Sequence, residues 1–484
     1  RDLQPHVAAG LLPGRGRLNP VVGSPAPPNR PGRPGRPGPD PDPATARKVA
    51  LLCLAVADLL LDAGMSANDI VERMLRITHA YGLVGVHIDL TSTSVTLSYY
   101  PASYAAPLTV LRVIQPGFPD YDKAQRTSVL TERIVRGLPI DAAVAALDEI
   151  RDSPRRYPWW VSMCGNAGVS AGVALLFTTS LRIVALTFVV GCLVDRLVAW
   201  MEEKAVPPFF QQAFAALAIT LVAVAVSAVG QHGIPLFANL DPTLIVVGGI
   251  VMLVAGMLVV GAVQDAIDQF YVTATARLFE VVMRTAGIVV GIVIALQLTN
   301  ALGVRAHVDP DPIALGPVPA QLVGAFVLSM AWALYCYAGP VPAVLAGVMG
   351  LLGWVGYLVA IQAGLGEVPA NTLGALLVAF VCTVLLRRTT IPSFSLIAAA
   401  LLPLVPGLLL YNGLIQIVGT HDTPGSFADG QATLATALGV ALGIAAGASL
   451  GVYLGRPVVS QLRRIRDRTV RRPDSPRRGP RHTP

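Results

Sequence analysis

The chain has 484 residues, of which 54% are hydrophobic and only 13% are charged, and its formal net charge is +7. This composition argues against a wholly soluble protein, because soluble domains carry roughly 25% charged residues. The basic ends lack interleaved aromatic residues and any known recognition module, which argues against a nucleic-acid partner. Five cysteines without a CxxC pair predict free thiols and no disulfide framework. We expect no bound metal and no cofactor.

The two ends of the chain differ in composition from the rest. Residues 1–46 contain twelve prolines and three consecutive Arg-Pro-Gly triplets. Such a sequence cannot bury a core, so we predict a disordered Pro/Arg-rich tail. The arginine-rich segment 457–484 is predicted to be a basic, disordered cytoplasmic tail that binds anionic lipids of the inner leaflet. A solvated anchor with no further role is an equal alternative.

Residues 47–156 are predicted to form a small cytoplasmic α/β domain. Helical apolar spacing ends at Gly64, and Ser66-Ala-Asn-Asp69 resembles a capping box that opens a second helix. Between 84 and 99 apolar and polar residues alternate, which is typical of two strands joined by a polar turn. A third strand at 108–115 and helices at 121–136 and 140–151 complete the prediction.

From Trp159 onward the sequence contains apolar runs of membrane-spanning length. About 20 apolar residues cross the hydrocarbon core as an α-helix. The predicted fold class is therefore an α-helical polytopic membrane protein with ten transmembrane helices, five in a first module at 157–318 and five in a second module at 319–456. The predicted spans lie near 160–177, 182–200, 209–230, 242–263, 281–301, 319–336, 341–361, 369–386, 393–415 and 432–454.

The basic residues between the spans favour cytoplasmic N- and C-termini. With that orientation the outer loops carry only Arg182 and Arg305. Cytoplasmic loops are enriched in lysine and arginine, so we predict a multi-pass protein of the cell (plasma) membrane with both termini inside. The inner basic residues are Arg151, Arg155, Arg156, Arg196, Lys204, Arg277, Arg387 and Arg388.

The two predicted modules show a weak internal repeat. An alignment of the apolar runs places Gly256 over Gly407 and, at a similar offset, Gly291 over Gly443. Each module has five spans, an odd number, so the second must be inverted relative to the first. Inverted repeats recur in secondary transporters, whose sites lie at the repeat interface near the middle of the membrane.

The segment 261–280, between spans four and five, carries an unusual group of charges. Asp265 and Asp268 are three residues apart and share one face of a helix. A carboxylate near the membrane interior must be paired, hydrated or protonated, which makes these two aspartates candidates for proton coupling. Arg277 could bind a substrate carboxylate by two hydrogen bonds. The alternative is an ordinary charged cytoplasmic loop.

Polar residues inside the apolar runs are the candidate substrate contacts. Asn412 and Gln416 are four residues apart on one face of span nine and can bind an amino or hydroxyl group. Two prolines and a glycine just upstream are expected to break that span, as is common at transporter sites. Asn166, in the Gly-rich span one, is a third candidate. Hydrogen bonding between helices, without a ligand, is the alternative for all three.

An enzymatic alternative rests on the predicted soluble domain. His87 and Asp89 share the polar face of a strand, and residues of these types can support acid–base catalysis. A membrane-anchored enzyme would use them as its acid–base pair. No third ligand or nucleophile has a recognisable spacing, which favours the other interpretation, a solvated strand face.

A set of short motifs occurs in a definite order along the chain. They are Ala63-Gly-Met-Ser66 followed by Glu72, VHIDLTSTSV (86–95), PLTVLRV (107–113), RDSPRRYP (151–158), VQDAIDQFYVTATARLFEV (263–281) and LPLVPGLLLYNGL (402–414). In these motifs, and in its layout from about 47 to 456, the chain resembles the threonine/serine exporter family, ThrE.

The resemblance implies export of L-threonine and L-serine driven by the proton gradient, and two fused five-helix modules. It also implies that Asp265, Asp268, Thr273 and Arg277 belong to the family's cytoplasmic-loop motif. The chain contains no ATP-binding P-loop, which fits proton antiport as the source of energy. A channel or an exporter of other small solutes shares this architecture. The sequence leaves the oligomeric state open, with a homo-oligomer among the alternatives.

Overall fold

The structure, a computed structural model, describes residues 41–91, 93–102, 106–114, 117–231, 242–250, 253, 256–301, 314–386, 393–418 and 426–470. Most of the described residues are helical, and a small antiparallel sheet lies near the N-terminal end. The predicted tail at 1–40 and the last residues, 471–484, lie outside the described part of the chain.

The first elements form what is called here the N-terminal segment, Pro43–Asp152. Its strands form one antiparallel sheet in the order β1-β2-β3, in which Leu90 pairs with Val95 and Tyr99 with Leu108. Helix α1 packs against the sheet and the other three helices through its buried apolar face. The elements are α1 (Pro43–Asp62), α2 (Ala67–Ala80), β1 (Val86–Leu90), β2 (Ser94–Tyr99), β3 (Leu108–Val113), α3 (Tyr121–Val135) and α4 (Ile140–Asp152).

Local signals set the ends of these helices. The Asp42 side chain accepts a hydrogen bond from the Ala44 N–H, and Pro43 occupies the first helical position, so α1 begins before the predicted boundary at 47. Ser66 caps α2 through the Asp69 N–H, as the capping motif predicts. Gly64 ends the turn after α1 with a φ of +80°, a conformation that glycine adopts without strain.

The remaining helices follow from residue 159. Eight of them, within the described residues, are long and apolar enough to cross a membrane: α5, α6, α7, α10, α11, α12, α13 and α16. In chain order the helices are α5 (Trp159–Phe177), α6 (Leu181–Glu203), α7 (Pro208–Gln231), α8 (Pro242–Ile250), α9 (Gly256–Ile267), α10 (Tyr271–Ala301), α11 (Val318–Tyr335), α12 (Pro340–Gln362), α13 (Glu367–Leu385), α14 (Ser393–Leu401), α15 (Gly407–Val418) and α16 (Ser426–Val470).

Two of the ten predicted spans are divided. Span four, predicted at 242–263, is divided between α8 and α9, and span nine, predicted at 393–415, is divided between α14 and α15. A short 3-10 helix, Leu402–Leu404, lies between the parts of span nine. Pro403 and Pro406 lack the N–H that a continuous α-helix requires, which explains the predicted break. The described residues thus form eight continuous apolar helices and two divided ones in place of ten continuous spans.

Helix α16 differs from the prediction at its C-terminal end. It continues to Val470, beyond the predicted start of a disordered tail at 457. Arginine, leucine and glutamine are strong helix formers, so the basic segment extends the helix even though Pro457 lies inside it. The predicted lipid contact concerns side chains outside the described set.

The helices recur at constant intervals along the chain. Helices α5, α6 and α7 begin at 159, 181 and 208, and α11, α12 and α13 begin at 318, 340 and 367, a difference of 159 residues in each case. Helices α8 and α9 begin at 242 and 256, and α14 and α15 at 393 and 407, a difference of 151. The packing recurs as well, because α7 packs on α10 as α13 packs on α16.

Candidate functional site

The turn between α9 and α10 carries the charged residues of the segment 261–280. Helix α9 ends at Ile267 and α10 begins at Tyr271, so residues 268–270 alone connect them. Gln269 has a φ of +69°, which few residues other than glycine adopt, and the Phe270 N–H donates to the Asp265 carbonyl. This tight turn brings the end of α9 against the start of α10.

Asp265 is completely buried and has two positively polarised partners. Its Oδ2 lies 2.6 Å from Nη1 of Arg277 on α10. Its Oδ1 accepts a hydrogen bond of 3.3 Å from the Ala67 N–H, at the first position of α2 in the N-terminal segment. A helix N-terminus carries partial positive charge, so the carboxylate lies between two groups that stabilise its ionised form.

Thr273 makes a second contact to the N-terminal segment. Its side chain is 1% exposed, and its hydroxyl donates to the carbonyl of Leu90, the last residue of β1, at 3.4 Å. The structure therefore brings together three of the predicted site residues, Asp265, Thr273 and Arg277, at the interface with the N-terminal segment. They do not face open water, as an ordinary charged loop would.

Asp268 and Glu280 lie outside this buried group. Asp268 is half-buried in the turn, where its N–H donates to the Gln264 carbonyl. Glu280 is half-buried and pairs with Arg284, one helical turn later, at 2.5 Å. Asp265 and Asp268 were predicted to share one face, and only Asp265 is enclosed.

The N-terminal segment also contacts the second half of the chain. The Tyr121 N–H, at the start of α3, donates to the Cys336 carbonyl, just after α11, at 2.8 Å. The Tyr121 ring packs edge-to-face on Phe394 of α14, and its hydroxyl accepts a hydrogen bond from Nε1 of Trp332. The N-terminal segment therefore spans both halves at one end of the helix bundle, which is called the covered end below.

Asn412 and Gln416 lie one turn apart on α15 in different surroundings. Oε1 of Gln416 accepts a hydrogen bond of 3.0 Å from the hydroxyl of Thr433 on α16. Asn412 instead lines a cavity of about 230 Å³ at the break in span nine. Tyr357, Glu367 and Asn371 line the same cavity. Of these two predicted contacts, Asn412 is therefore the one that lines this cavity.

Asn166 binds an aspartate that the sequence motifs do not indicate. Its Nδ2 donates to Oδ1 of Asp195 on α6 at 2.8 Å. Oδ2 of Asp195 lies 2.7 Å from Nη2 of Arg196, whose guanidinium lies 4.5 Å from the centre of the Trp159 ring. Asp195 is only 8% exposed. One sequence signal could have indicated Asp195: it is a single acid inside the apolar run of α6. Because Arg196 follows it, the pair resembles the charged residues at an ordinary helix end.

The proposed acid–base pair of the enzymatic alternative lies on an exposed strand face. His87 and Asp89 are both exposed on β1, opposite Ser98 and Thr96 of β2. The His87 ring packs edge-to-face against Tyr100. Across the described ranges, no group of three or more His, Cys, Asp or Glu side chains could hold a metal ion. The arrangement fits a solvated strand face.

Comparison with known proteins decides the family. Two models of threonine/serine exporters match the chain, ThrE over residues 51–299 and ThrE_2 over residues 321–451. The chain belongs to the threonine/serine exporter family. The first match covers most of the N-terminal segment and the helices as far as α10, and the second covers α11 to the middle of α16. The boundary between the two matches therefore falls between the predicted modules.

Individual relatives agree with this membership of the exporter family. A Mycobacterium tuberculosis protein named "Probable threonine/serine exporter" is 32% identical over 409 residues, which are 82% of this chain and 75% of the relative. The threonine/serine exporter of Corynebacterium glutamicum is 30% identical over 391 residues, which are 80% of this chain and 79% of the relative. No solved structure matches the chain. These names confirm the prediction of a transporter and not an enzyme, and with the eight apolar helices they confirm a multi-pass membrane protein.

Proposed function

We propose that this chain exports L-threonine and L-serine across the cell membrane in exchange for protons, with both termini in the cytoplasm. The substrate class rests on the family, whose relatives are named as threonine/serine exporters. The proposed coupling to protons rests on one observation. The Asp265 carboxylate is fully buried where helices of the bundle meet the N-terminal segment. A buried carboxylate whose neighbours can move is a natural proton carrier.

The proposal includes two inverted five-helix modules, in which the divided helices act as the fourth and ninth crossings. Constant intervals between corresponding helices support this arrangement. Corresponding contacts support it too: a Cβ added at Gly191 would lie against the Ser170 hydroxyl, and one at Gly350 against the Ser329 hydroxyl. Both pairs obey the offset of 159 residues. Inverted repeats place the site between the modules.

Helix contacts refine the alignment of the two modules. A Cβ at Gly291 of α10 would meet the Ala213 carbonyl of α7, and a Cβ at Gly447 of α16 would meet the Thr372 carbonyl of α13. Ala213 and Thr372 are 159 residues apart, so Gly447 is the counterpart of Gly291, at an offset of 156. The sequence alignment with Gly443 is one turn out of register, because glycine recurs every four residues in α16.

In this register the buried ion pair has a neutral counterpart. Asp265 and Gln416 are 151 residues apart, and Arg277 and Thr433 are 156 apart, as are Gly291 and Gly447. Asp265 contacts Arg277 between α9 and α10, and Gln416 contacts Thr433 between α15 and α16. Only the pair beside the N-terminal segment contains ionisable side chains.

Protonation of Asp265 would remove the negative charge that faces Arg277 and weaken the acceptor for the Ala67 N–H. Arg277 would then lack a counter-charge and favour water, which loosens the N-terminal segment from the covered end. In this proposal proton binding and opening of the cytoplasmic mouth are therefore one event. Asp268, half-buried in the same turn, relays the proton between Asp265 and water.

In this proposal the cavity at span nine is the outer half of the route by which the amino acid crosses the membrane. Glu367 and Asn371 can accept hydrogen bonds from an ammonium group, and Asn412 can bind a hydroxyl. The start of α15 at Gly407 lies in the cavity wall, and a helix N-terminus favours a carboxylate. Gln416 lies one turn away and is already bound to Thr433.

Efflux from proteoliposomes tests the proposal. Vesicles loaded with labelled L-threonine should release it faster under an imposed pH gradient, and Asp265→Asn should abolish the acceleration. Asp429→Asn, which changes an exposed acid on α16, is the matched control and should keep it. Efflux of the unchanged chain that ignores the gradient would contradict antiport and indicate a facilitator. Absence of threonine and serine efflux would contradict the substrates.

A further inference from the structure

A second group of polar side chains lies among the helices at the covered end. This inner cluster consists of Asn166 on α5, Asp195 and Glu202 on α6, Gln212 on α7 and Arg284 on α10. Asn166, Asp195 and Gln212 are at least nine-tenths buried, with exposures of 8%, 8% and 7%. Polar groups at such positions in a membrane bundle are uncommon and usually functional. The Asp265 interface uses none of them.

A hydrogen bond, electrostatic interactions and close helix packing relate the members of the inner cluster. Asn166 donates to Asp195 at 2.8 Å. Glu202, at the exposed rim, interacts electrostatically with both Asp195 and Arg284. Gly287 follows Arg284 by one turn, and a Cβ added there would lie 3.2 Å from Cβ of Gln212. Four helices therefore direct polar side chains to one region of the bundle.

Three atoms of the inner cluster have no hydrogen-bond partner among the described residues. They are the side-chain oxygens Oδ1 of Asn166 and Oε1 of Gln212, and the Nε of Arg284. Buried polar atoms are nearly always bonded, because a polar group that loses its contacts with water and finds no new partner destabilises the fold. Two unpaired acceptors and one unpaired donor, beside a buried carboxylate, are what a ligand with both an ammonium and a carboxylate group would satisfy.

We propose that the inner cluster binds the transported amino acid as a zwitterion. The ammonium group donates to Asp195, to Oδ1 of Asn166 and to Oε1 of Gln212. The carboxylate accepts from Nε of Arg284, whose Nη2 is already held by Glu280. Glu202, at the rim, lines the route from water. The inference rests on the proposed function and adds to it the site at which the substrate is loaded.

The internal repeat supports this assignment independently of the unpaired atoms. At the offset of 159 residues Asp195 corresponds to Trp354, and Gln212 corresponds to Asn371; at the offset of 156 Arg284 corresponds to Val440. All three counterparts line the cavity at span nine. The inner cluster is therefore the inverted counterpart of that cavity. It carries the charges that the outer cavity lacks at these positions, and it lies on the side from which an exporter loads.

Two adjacent glutamines provide a matched test. Gln211 and Gln212 have similar burial, at 9% and 7% exposed, but Nε2 of Gln211 donates to the Val206 carbonyl at 2.7 Å. Gln212→Leu should raise the KM for threonine efflux at least tenfold with no loss of thermal stability, because an apolar group replaces an amide whose oxygen is buried without a partner. Gln211→Leu should lower thermal stability and leave the KM unchanged. If Gln212 has only a structural role, Gln212→Leu should instead lower thermal stability and leave the KM unchanged.

A second variant and a binding measurement separate the outcomes. Asp195→Asn should also raise the KM at least tenfold, and N-acetyl-L-threonine, which lacks the ammonium group, should not compete with L-threonine. If the KM is unchanged in both variants and gradient-driven efflux is intact, the inner cluster is not the substrate site, and the proposed exporter function still stands. If the unchanged chain shows no efflux, the proposed function fails. Binding of labelled L-threonine to the purified chain then tests the inner cluster as a binding site. Binding lost in Gln212→Leu supports the site, and no binding overturns it.

Discussion

Two corresponding helix contacts in this chain use different chemistry. At the covered end α9 meets α10 through Asp265 and Arg277, 2.6 Å apart, and in the second half α15 meets α16 through Gln416 and Thr433, 3.0 Å apart. The neutral pair shows that α15 and α16 meet without a charge. The charged pair has a third partner, the Ala67 N–H of the N-terminal segment. The charged pair thus lies where the helices meet the N-terminal segment, and the neutral pair lies between helices alone.

The largest expected effect comes from breaking the charged pair. Asp265→Ala leaves Arg277, whose side chain is only 14% exposed, without a counter-charge, which should lower the free energy of unfolding by about 3–5 kcal/mol. The double variant Asp265→Gln with Arg277→Thr copies the neutral pair of the second half. It should regain most of the thermal stability of the unchanged chain in detergent while losing acceleration of efflux by a pH gradient.

The double variant can also contradict the comparison between the charged and the neutral pair. If it unfolds as easily as Asp265→Ala, the charge itself holds α9 against α10 and the neutral pair is not equivalent. If it remains stable and keeps its response to the gradient, the proton is carried elsewhere. The single variant Gln416→Leu, which changes only the second half, is the control and should not alter the gradient response.

A smaller effect is expected from removing the contact between Asp265 and the N-terminal segment. Ala67 occupies the first position of α2, where a proline is tolerated within the helix itself. Ala67→Pro therefore removes the N–H that binds Asp265 and leaves α2 intact. The loss of one hydrogen bond to a charged group should cost about 1.5–3 kcal/mol. Hydrogen exchange should show faster exchange at the start of α10, while circular dichroism stays unchanged; equal protection in both chains would contradict the contact.

The glycine contacts of the two halves should respond alike. Gly291 and Gly447 bring α10 onto α7 and α16 onto α13, and any added Cβ meets a backbone carbonyl. Gly291→Ala and Gly447→Ala should each destabilise the bundle by about 1–3 kcal/mol through overpacking. Gly366→Ala, where an added Cβ meets nothing within 4 Å, is the control. Clearly unequal effects on thermal unfolding would argue against equivalent packing in the two halves.

The sequence predicted the parts of this structure that follow from local chemistry. Ser66 caps α2, and Pro403 and Pro406 interrupt span nine, because capping and the missing proline N–H act within a few residues. The burial of Asp265 depends on Ala67, which is 198 residues away in the chain, and no local pattern indicates that pairing. The sequence does not predict the role of Asp195 for a related reason. Its partner Asn166 lies on another helix, and with the adjacent Arg196 it resembles the charged end of a helix.

The smallest effect concerns the neutral pair. The Thr433 hydroxyl lies 3.0 Å from Oε1 of Gln416 and 2.9 Å from the Asp429 carbonyl, so Thr433→Val removes a neutral hydrogen bond between α15 and α16. The expected cost is about 0.5–1.5 kcal/mol of unfolding free energy. Acceleration of efflux by a pH gradient should be unchanged, because Thr433→Val alters no ionisable group. A clear loss of acceleration in this variant would place part of the proton path in the second half. The contrast between a charged contact that couples and a neutral contact that only packs would then no longer hold.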